Sequence, residues 1–341
     1  MKKKIITFLV TTISVITLIG CTSSEYKQYV DLGEYKNLKL TTTGLTDEKI
    51  SDEDVNNQIR DNITLYSPDL LKETNEKITE ESCVSLDGTA QYEGSDASTF
   101  SLSNKMISEL KDINGLADVV IGKSVNDKIN TTLNLDSGKL TVNLTITSVV
   151  EDPLKLLTDD WVVKYAASED IKTTKDYKKY IKEQLESQIK ESNKTNKLSV
   201  IEDKIKETSK IKKYPENVIK KEVEIAKAQY EAMGKLYNLD IKTNIMTTNN
   251  LSSDEDYEKF IKSIATEEVD RNLIYNRIAE KEKLVPSDED YTKKLSEYKS
   301  EHKDSYDSID VIGEDTAKQY ILNDIVDDWL YEHNTVSEKN K

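Results

Sequence analysis

Residues 129–146, Ile129-Asn-Thr-Thr-Leu-Asn-Leu-Asp-Ser-Gly-Lys-Leu-Thr-Val-Asn-Leu-Thr-Ile146, decide the fold class. Ile129, Thr131 and Leu133, then Leu140, Val142, Leu144 and Ile146, alternate with polar residues, the period of strands with one buried face. Asp136-Ser137-Gly138-Lys139 between them carries hairpin turn chemistry. Upstream, Val84 and Leu86 repeat the alternation, so residues 81–152 read as a small antiparallel β domain. Within it, Lys105 to Leu110 looks like one or two helical turns, and Ile113-Asn114-Gly115-Leu116 like the mouth of another.

Pro153 marks the exit, and beyond it the period changes from two to that of a helix. Tyr177, Ile181, Leu185 and Ile189 recur at i+4, and Leu198, Ile201 and Ile205 continue the stripe after a polar patch at Glu191 to Asn196. Tyr214-Pro215 opens another helix with Pro215 near N1, carrying Val218, Glu222, Ile225, Met233 and Leu236. A third runs from Ser253 to Ile278, a fourth opens at Ser287, and a last one near Thr316 carries Ile321, Ile325 and Trp329. The class is therefore α+β: a small antiparallel β domain followed by a helical region over 153–335. Before the β domain, Leu38-Lys-Leu-Thr reads as a strand. Val55, Ile59, Ile63 and Tyr66 follow at helical spacing, and residues 30–80 form the entry to the domain.

Three pentads are nearly identical: Ser51-Asp-Glu-Asp-Val55, Ser253-Asp-Glu-Asp-Tyr257 and Ser287-Asp-Glu-Asp-Tyr291. Clustered carboxylates suit calcium, but an EF-hand loop needs alternate ligands, a turn glycine and a distal glutamate, none of which is here. Serine followed by acids instead marks a helix start, where the hydroxyl accepts first-turn amides and the acids oppose the helix dipole.

The chain of 341 residues carries 48 basic and 64 acidic residues, a net charge of −16. It begins with Lys2-Lys3-Lys4, an apolar run from Ile5 to Ile19, and Leu18-Ile-Gly-Cys21. These are the parts of a secretory leader. Fifteen residues rise only about 22 Å as a helix, short of the ~30 Å hydrocarbon core, which disfavours a permanent span. Leu-x-Gly-Cys resembles a bacterial lipobox, which implies removal of residues 1–20, lipidation of Cys21, and a lipoprotein held at the extracytoplasmic face of the cell membrane. Residues 21–29 read as its tether. Without the leader, 45 basic residues face 64 acidic ones, a net charge of −19. That sign excludes nucleic acid as a partner, because phosphate neutralisation needs an excess of Lys and Arg. Cys83 is the one cysteine beyond Cys21, so no intramolecular disulfide or thiolate zinc site is expected. His302 and His333 sit in polar company and read as surface residues. No phosphate-cradling loop, metal motif or nucleophile elbow is present, and neither a cofactor nor a metal is expected.

Val30-Asp-Leu-Gly-Glu-Tyr-Lys-Asn-Leu-Lys-Leu40 and the stretch from Ser51 to Ile59 resemble the entry to the isomerase domain of trigger factor, and Val84-Ser-Leu-Asp87 a strand within it. Ile113-Asn-Gly-Leu-Ala-Asp-Val-Val-Ile-Gly-Lys-Ser-Val-Asn-Asp127 follows an FKBP-like pattern. Leu157-Thr-Asp-Asp-Trp-Val-Val163 resembles the junction to the chaperone domain. The resemblance implies a degenerate FKBP-like domain over 81–152 and an elongated all-α chaperone domain with helical arms over 153–335. The partners it implies are unfolded or newly translocated polypeptides, bound without nucleotide. The family's ribosome-binding domain, with its Gly-Phe-Arg-x-Gly-Lys signature, has no counterpart here, so no ribosome contact is expected.

FKBP-type peptidyl-prolyl isomerases surround proline with aromatic walls. On the resemblance, those positions hold Gly88, Leu116 and Val142, beside Ile113, and the flap shrinks to a turn between Leu135 and Leu140. Tyr92 or Phe100 are the aromatics available to refill the pocket. Catalysis needs contacts stronger in the transition state than in the ground state, and the thinned walls argue for weak or absent isomerisation. Tyr230, Met233, Tyr237 and Met246, around Gly234 and the polar stretch from Thr247 to Asn250, are the expected client contacts, because Met and Tyr suit varied apolar surfaces. Two other functions fit the same scaffold: an active prolyl isomerase, and a structural surface lipoprotein with one specific partner.

Overall fold

The computed structural model describes residues 26–46, 49–111, 113, 115–135, 138–166 and 170–339. The leader, Cys21, Asn114 and Asp136-Ser137 lie outside them. The α+β fold divides into two units: Thr46–Glu191, and the described residues up to Leu45 together with those from Ser192 onward.

The chain enters the second of these units first. After a 3₁₀ turn (Tyr26–Gln28), β1 (Val30–Asp31) pairs antiparallel with β7 (Lys210–Ile211), and β2 (Lys39–Thr42) pairs parallel with β8 (Thr335–Glu338), Leu40 opposite Val336. Tyr26, Val30, Tyr35 and Leu38 are buried in the core of that unit. The sequence reading has 21–29 as a tether and 30–80 as the entry to the sheet domain; Tyr26 is packed in this core, and residues up to Leu45 cluster with those from Ser192 onward.

In the sheet unit, α1 (Asp52–Tyr66) buries Val55, Ile59 and Ile63. Ser51 caps it in a closed box, its Oγ accepting from Asp54 N at 3.2 Å while Ser51 N donates to Asp54 Oδ2 at 2.8 Å. Arg60 is also buried on this helix, and its guanidinium forks onto both oxygens of Asp152 at 2.9 and 3.1 Å. The sheet comprises β3 (Cys83–Tyr92), β4 (Ser98–Met106), β5 (Lys128–Leu135) and β6 (Gly138–Val150), antiparallel in the order β4-β3-β6-β5. Its apolar face is closed by the short helices α2 (Ile107–Leu110) and α3 (Leu116–Val120). α4 (Asp159–Tyr165) brings Trp161, whose Nε1 donates to Ser67 Oγ at 2.9 Å, into a separate core with α1. The sequence pattern misses β4, whose Ser, Thr and Asn content blurs the alternation.

α5 (Thr174–Thr208) is one continuous helix through the polar patch that separates its two apolar stripes. Its first part up to Glu191 clusters with the sheet unit and the rest with the helical unit, whereas the sequence reading has the helical region from 153. There follow α6 (Val218–Tyr237), α7 (Ile241–Thr248), α8 (Asp254–Glu282), α9 (Asp288–Glu301), α10 (Ile309–Ile312) and α11 (Glu314–His333). α6 begins three residues beyond Pro215, after Asn217 in a left-handed conformation. Ser253 and Ser287 cap α8 and α9, accepting from the amides of Asp256 and Asp290 at 3.1 and 3.2 Å. All three Ser-Asp-Glu-Asp pentads are thus helix starts. α8 is the spine of this unit, burying Val269, Leu273, Ile274 and Ile278 against α5 and α11.

Candidate functional site

The positions aligned with isomerase walls do not surround a cavity. Leu116 and Val142 are fully buried, packed in one apolar cluster with Ile107, Leu144 and Ile146. Phe100 and Ile113 pack at the margin of that cluster, and Tyr92 is half exposed beside a shallow polar groove with Gln91 and Glu93. Gly88 faces Phe100 on β4 and Leu144 on β6, and a Cβ added to it would collide with the carbonyl oxygen of Asn143. No side chain of any size fits there, so this wall is lost to the backbone and not merely shortened. The β5–β6 hairpin is tight, with Leu135 opposite Gly138.

The other expected site lies on α6, α7 and α8. α6 and α8 run antiparallel, with Lys227 on Glu258 at 2.6 Å, and Ala226, Tyr257 and Ile261 form the buried seam. Tyr230 and Met246 pack onto this seam, Met233 is half-buried, and Tyr237 is 58% exposed. The four residues thus divide: two belong largely to helix packing. Next to Tyr237, Leu236 and Leu239 are 50% and 53% exposed; the helical stripe includes Leu236, and the pattern passes over Leu239. A groove of about 600 Å³ alongside is bordered by Tyr230, Gly234, Leu239 and Tyr257. Lys242, 2.8 Å from Asp254 and above the Tyr257 ring, pins α7 to α8. The result is three exposed apolar residues, two in the last turn of α6 and one in the connection to α7, with paired charges nearby.

Further along α6 and α8 lies a cleft of about 190 Å³ walled by Val218, Ile225, Leu273 and Leu322. Glu222 opens on it without a hydrogen bond or ion pair to any described residue. Burial, with Glu268 of α8 adding its charge, pushes the Glu222 carboxyl up to about 7. Burial also raises the Glu268 carboxyl. A buried polar cluster stands nearby: the Tyr275 hydroxyl lies 2.6 Å from Asp327 Oδ1 and 2.7 Å from Glu202 Oε1, beneath the Arg271 guanidinium. Tyr275 is held protonated by burial and by both carboxylates. This cluster ties α5, α8 and α11 together.

Cys83 is fully buried with Met106 and Val150, and burial pushes its thiol up to about 12, which makes it inert packing. The histidines are stacked, not simply solvated: His302 on Tyr298 with Nδ1 2.9 Å from Asp307, and His333 on Trp329. Among the described residues, no helix is long and apolar enough to cross a membrane.

Residues 173–332 match the family described as the bacterial trigger factor protein (TF) C-terminus. The trigger factor of Clostridium acetobutylicum is 24% identical over 288 residues, covering 80% of this chain and 63% of that protein. That of Streptococcus mutans is 24% identical over 319 residues, covering 88% of this chain and 73% of that protein. The chain thus spans less than two thirds of the clostridial relative. A solved structure from work on promiscuous substrate recognition in folding and assembly by the trigger factor chaperone shares 16% identity, with a TM-score of 0.36 over 89% of this chain and 72% of that one.

Proposed function

We propose, from the match of residues 173–332 to the trigger factor C-terminal family, that the protein is a chaperone that holds unfolded polypeptides without nucleotide. The observation that carries this reading is the exposed triplet Leu236, Tyr237 and Leu239 at the end of α6. An acidic chain in which a third of the residues are charged has ample polar surface, so exposed Leu236 and Tyr237 in the last turn of α6 with exposed Leu239 just beyond it mark a contact surface. Tyr offers a large rigid face with a polar tip, and the neighbouring half-buried Met233 can repack around different side chains. Such a surface suits clients that differ in sequence and share only exposed apolar segments. Delayed aggregation of two unrelated unfolded proteins by the purified chain, without nucleotide, tests it.

The sheet unit acts in this reading as a scaffold and not as an isomerase. The sealed positions of Leu116 and Val142 and the crowded backbone at Gly88 support that choice.

The leader supports an extracytoplasmic, membrane-held location. Lys2-Lys3-Lys4, the apolar run to Ile19 and Leu18-Ile-Gly-Cys21 suit cleavage and lipidation at Cys21. One acyl chain anchors marginally, whereas two or three hold stably. The clients would then be newly translocated chains. Fractionation of a Cys21→Ala variant tests the anchor: release into the soluble fraction with the fold intact is expected, and retention at the membrane contradicts it.

A further inference from the structure

We infer that the sheet unit carries a separate peptide site, a groove between α1 and α5 that takes an uncharged, proline-rich segment in the polyproline II conformation. The groove has a volume of about 210 Å³, below the range of drug-sized pockets and suited to one or two residues of a chain. Its rings are Tyr66 from α1, Tyr165 from the end of α4, and Tyr177 and Tyr180 from α5. Tyr177 and Tyr180 are stacked at 6.4 Å, and Trp161 backs Tyr165 and Tyr177 at 5.1 and 5.7 Å. Tyr66 is 53% exposed at the mouth.

The remaining polar border consists of amides: Gln58 and Asn62, one turn apart on α1, and Gln184 and Gln188, one turn apart on α5. Among the described residues, no charged one borders the groove, in a chain of which 33% is charged. Gln58 Nε2 donates to Asn62 Oδ1 at 3.1 Å, and Asn62 Nδ2 donates to the Tyr177 hydroxyl at 2.9 Å. Tyr177 is therefore an acceptor in this relay and keeps its proton for another group. The side-chain amides of Gln184 and Gln188 have no hydrogen bond to any described residue.

Electrostatic complementarity selects the occupant. Flat tyrosine rings beside amide and hydroxyl donors match a ligand with flat apolar rings and unpaired carbonyls. A polyproline II segment has both, because it forms no internal hydrogen bonds and repeats every three residues. A helix has already used its carbonyls and would leave the amides unpaired. An aliphatic side chain would bury them without partners, and a charged one would lose its hydration with no counter-charge in the groove. This site does not depend on the apolar triplet of α6.

The test uses the full-length protein and three fluorescein-labelled uncharged peptides of equal length, read by anisotropy. One is proline-rich, one has every proline replaced by alanine, and one has every proline replaced by leucine. The proline-rich probe is expected to bind about tenfold tighter than either. Tyr66→Ala should weaken it about three- to tenfold through the lost ring, and Tyr177→Phe about fivefold through the lost hydroxyl, with circular dichroism unchanged. A variant with Leu236, Tyr237 and Leu239 changed to serine should bind it as the native chain does. Equal or tighter binding of the alanine or leucine peptide, or native affinity in Tyr66→Ala, would overturn the proposal.

Discussion

The backbone N–H of Leu239 donates to the carbonyl of Gly234 at 2.9 Å, and the N–H of Asn238, in a left-handed conformation, donates to the same oxygen. This closes α6 with the usual device of a left-handed residue that satisfies a last-turn carbonyl, here with asparagine in the place glycine often takes. The closure sets Leu236 and Tyr237 on one side of the turn and Leu239 on the other, all exposed. An ideal Cβ on Gly234 would lie 2.9 Å from the Leu239 carbonyl oxygen and 3.3 Å from Ile241 Cγ1. The apolar triplet is thus presented by a turn that a single glycine permits.

Gly234→Ala reverses an ordinary rule. In an open helix the change gains about 1 kcal/mol of stability. Here the added methyl meets backbone, and a loss of about 1–3 kcal/mol is expected. Thermal unfolding and amide exchange over α7 check it: faster exchange at Ile241–Thr248 is expected, and a raised Tm would contradict the close approach.

Leu116 should behave as core. Leu116→Ala is expected to cost about 2–5 kcal/mol in urea unfolding of the sheet unit. In a protease-coupled prolyl-peptide assay the native chain should stay at the uncatalysed rate. Catalysis well above background that vanishes in Leu116→Ala or Tyr92→Ala would restore the isomerase reading.

Glu222 gives the helical unit a signed pH dependence. Its folded carboxyl titrates near 7 instead of 4.5, so the folded chain holds a proton that the unfolded chain has released. Stability therefore declines as pH rises from about 4.5 through 7, and the cost is complete above 7. Glu268 on α8 and Tyr320 on α11 face it, with Lys221 on its own helix and Asp315 and Lys318 of α11 around the cleft. Glu222→Gln should raise stability by about 2 kcal/mol at pH 8, allowing for the cleft's access to water, and leave it unchanged at pH 4. Equal Tm values for the two proteins at both pH values would show that the carboxyl is not desolvated.

Local chemistry was readable in the residues and distant pairing was not. Ser51, Ser253 and Ser287 announce helix starts because each cap closes within four residues. The β5–β6 hairpin is readable for the same reason. Leu38-Lys-Leu-Thr reads as a strand, but its partner, Thr335–Glu338, lies almost at the other end of the chain, and no periodicity carries that information. The short α7 is obscured by Thr and Asn, and Asp240 anchors its first turn by accepting from Thr243 N at 3.1 Å. At the client surface, the stripe predicts which residues share a helix face but not whether a neighbour covers them. Leu236 continues the stripe and ends exposed, while Tyr230 and Met246 find cover from α8. Gly88 reads as a missing wall, and only the strand pairing reveals that the backbone of Asn143 fills its place.

The most direct test is light scattering of a chemically unfolded client diluted into buffer with the purified protein and no nucleotide. The native chain should delay aggregation, and the variant with Leu236, Tyr237 and Leu239 all changed to serine should lose most of that effect while retaining its circular dichroism and Tm. Undiminished protection by this folded variant would contradict the assignment of the α6 end as the client surface.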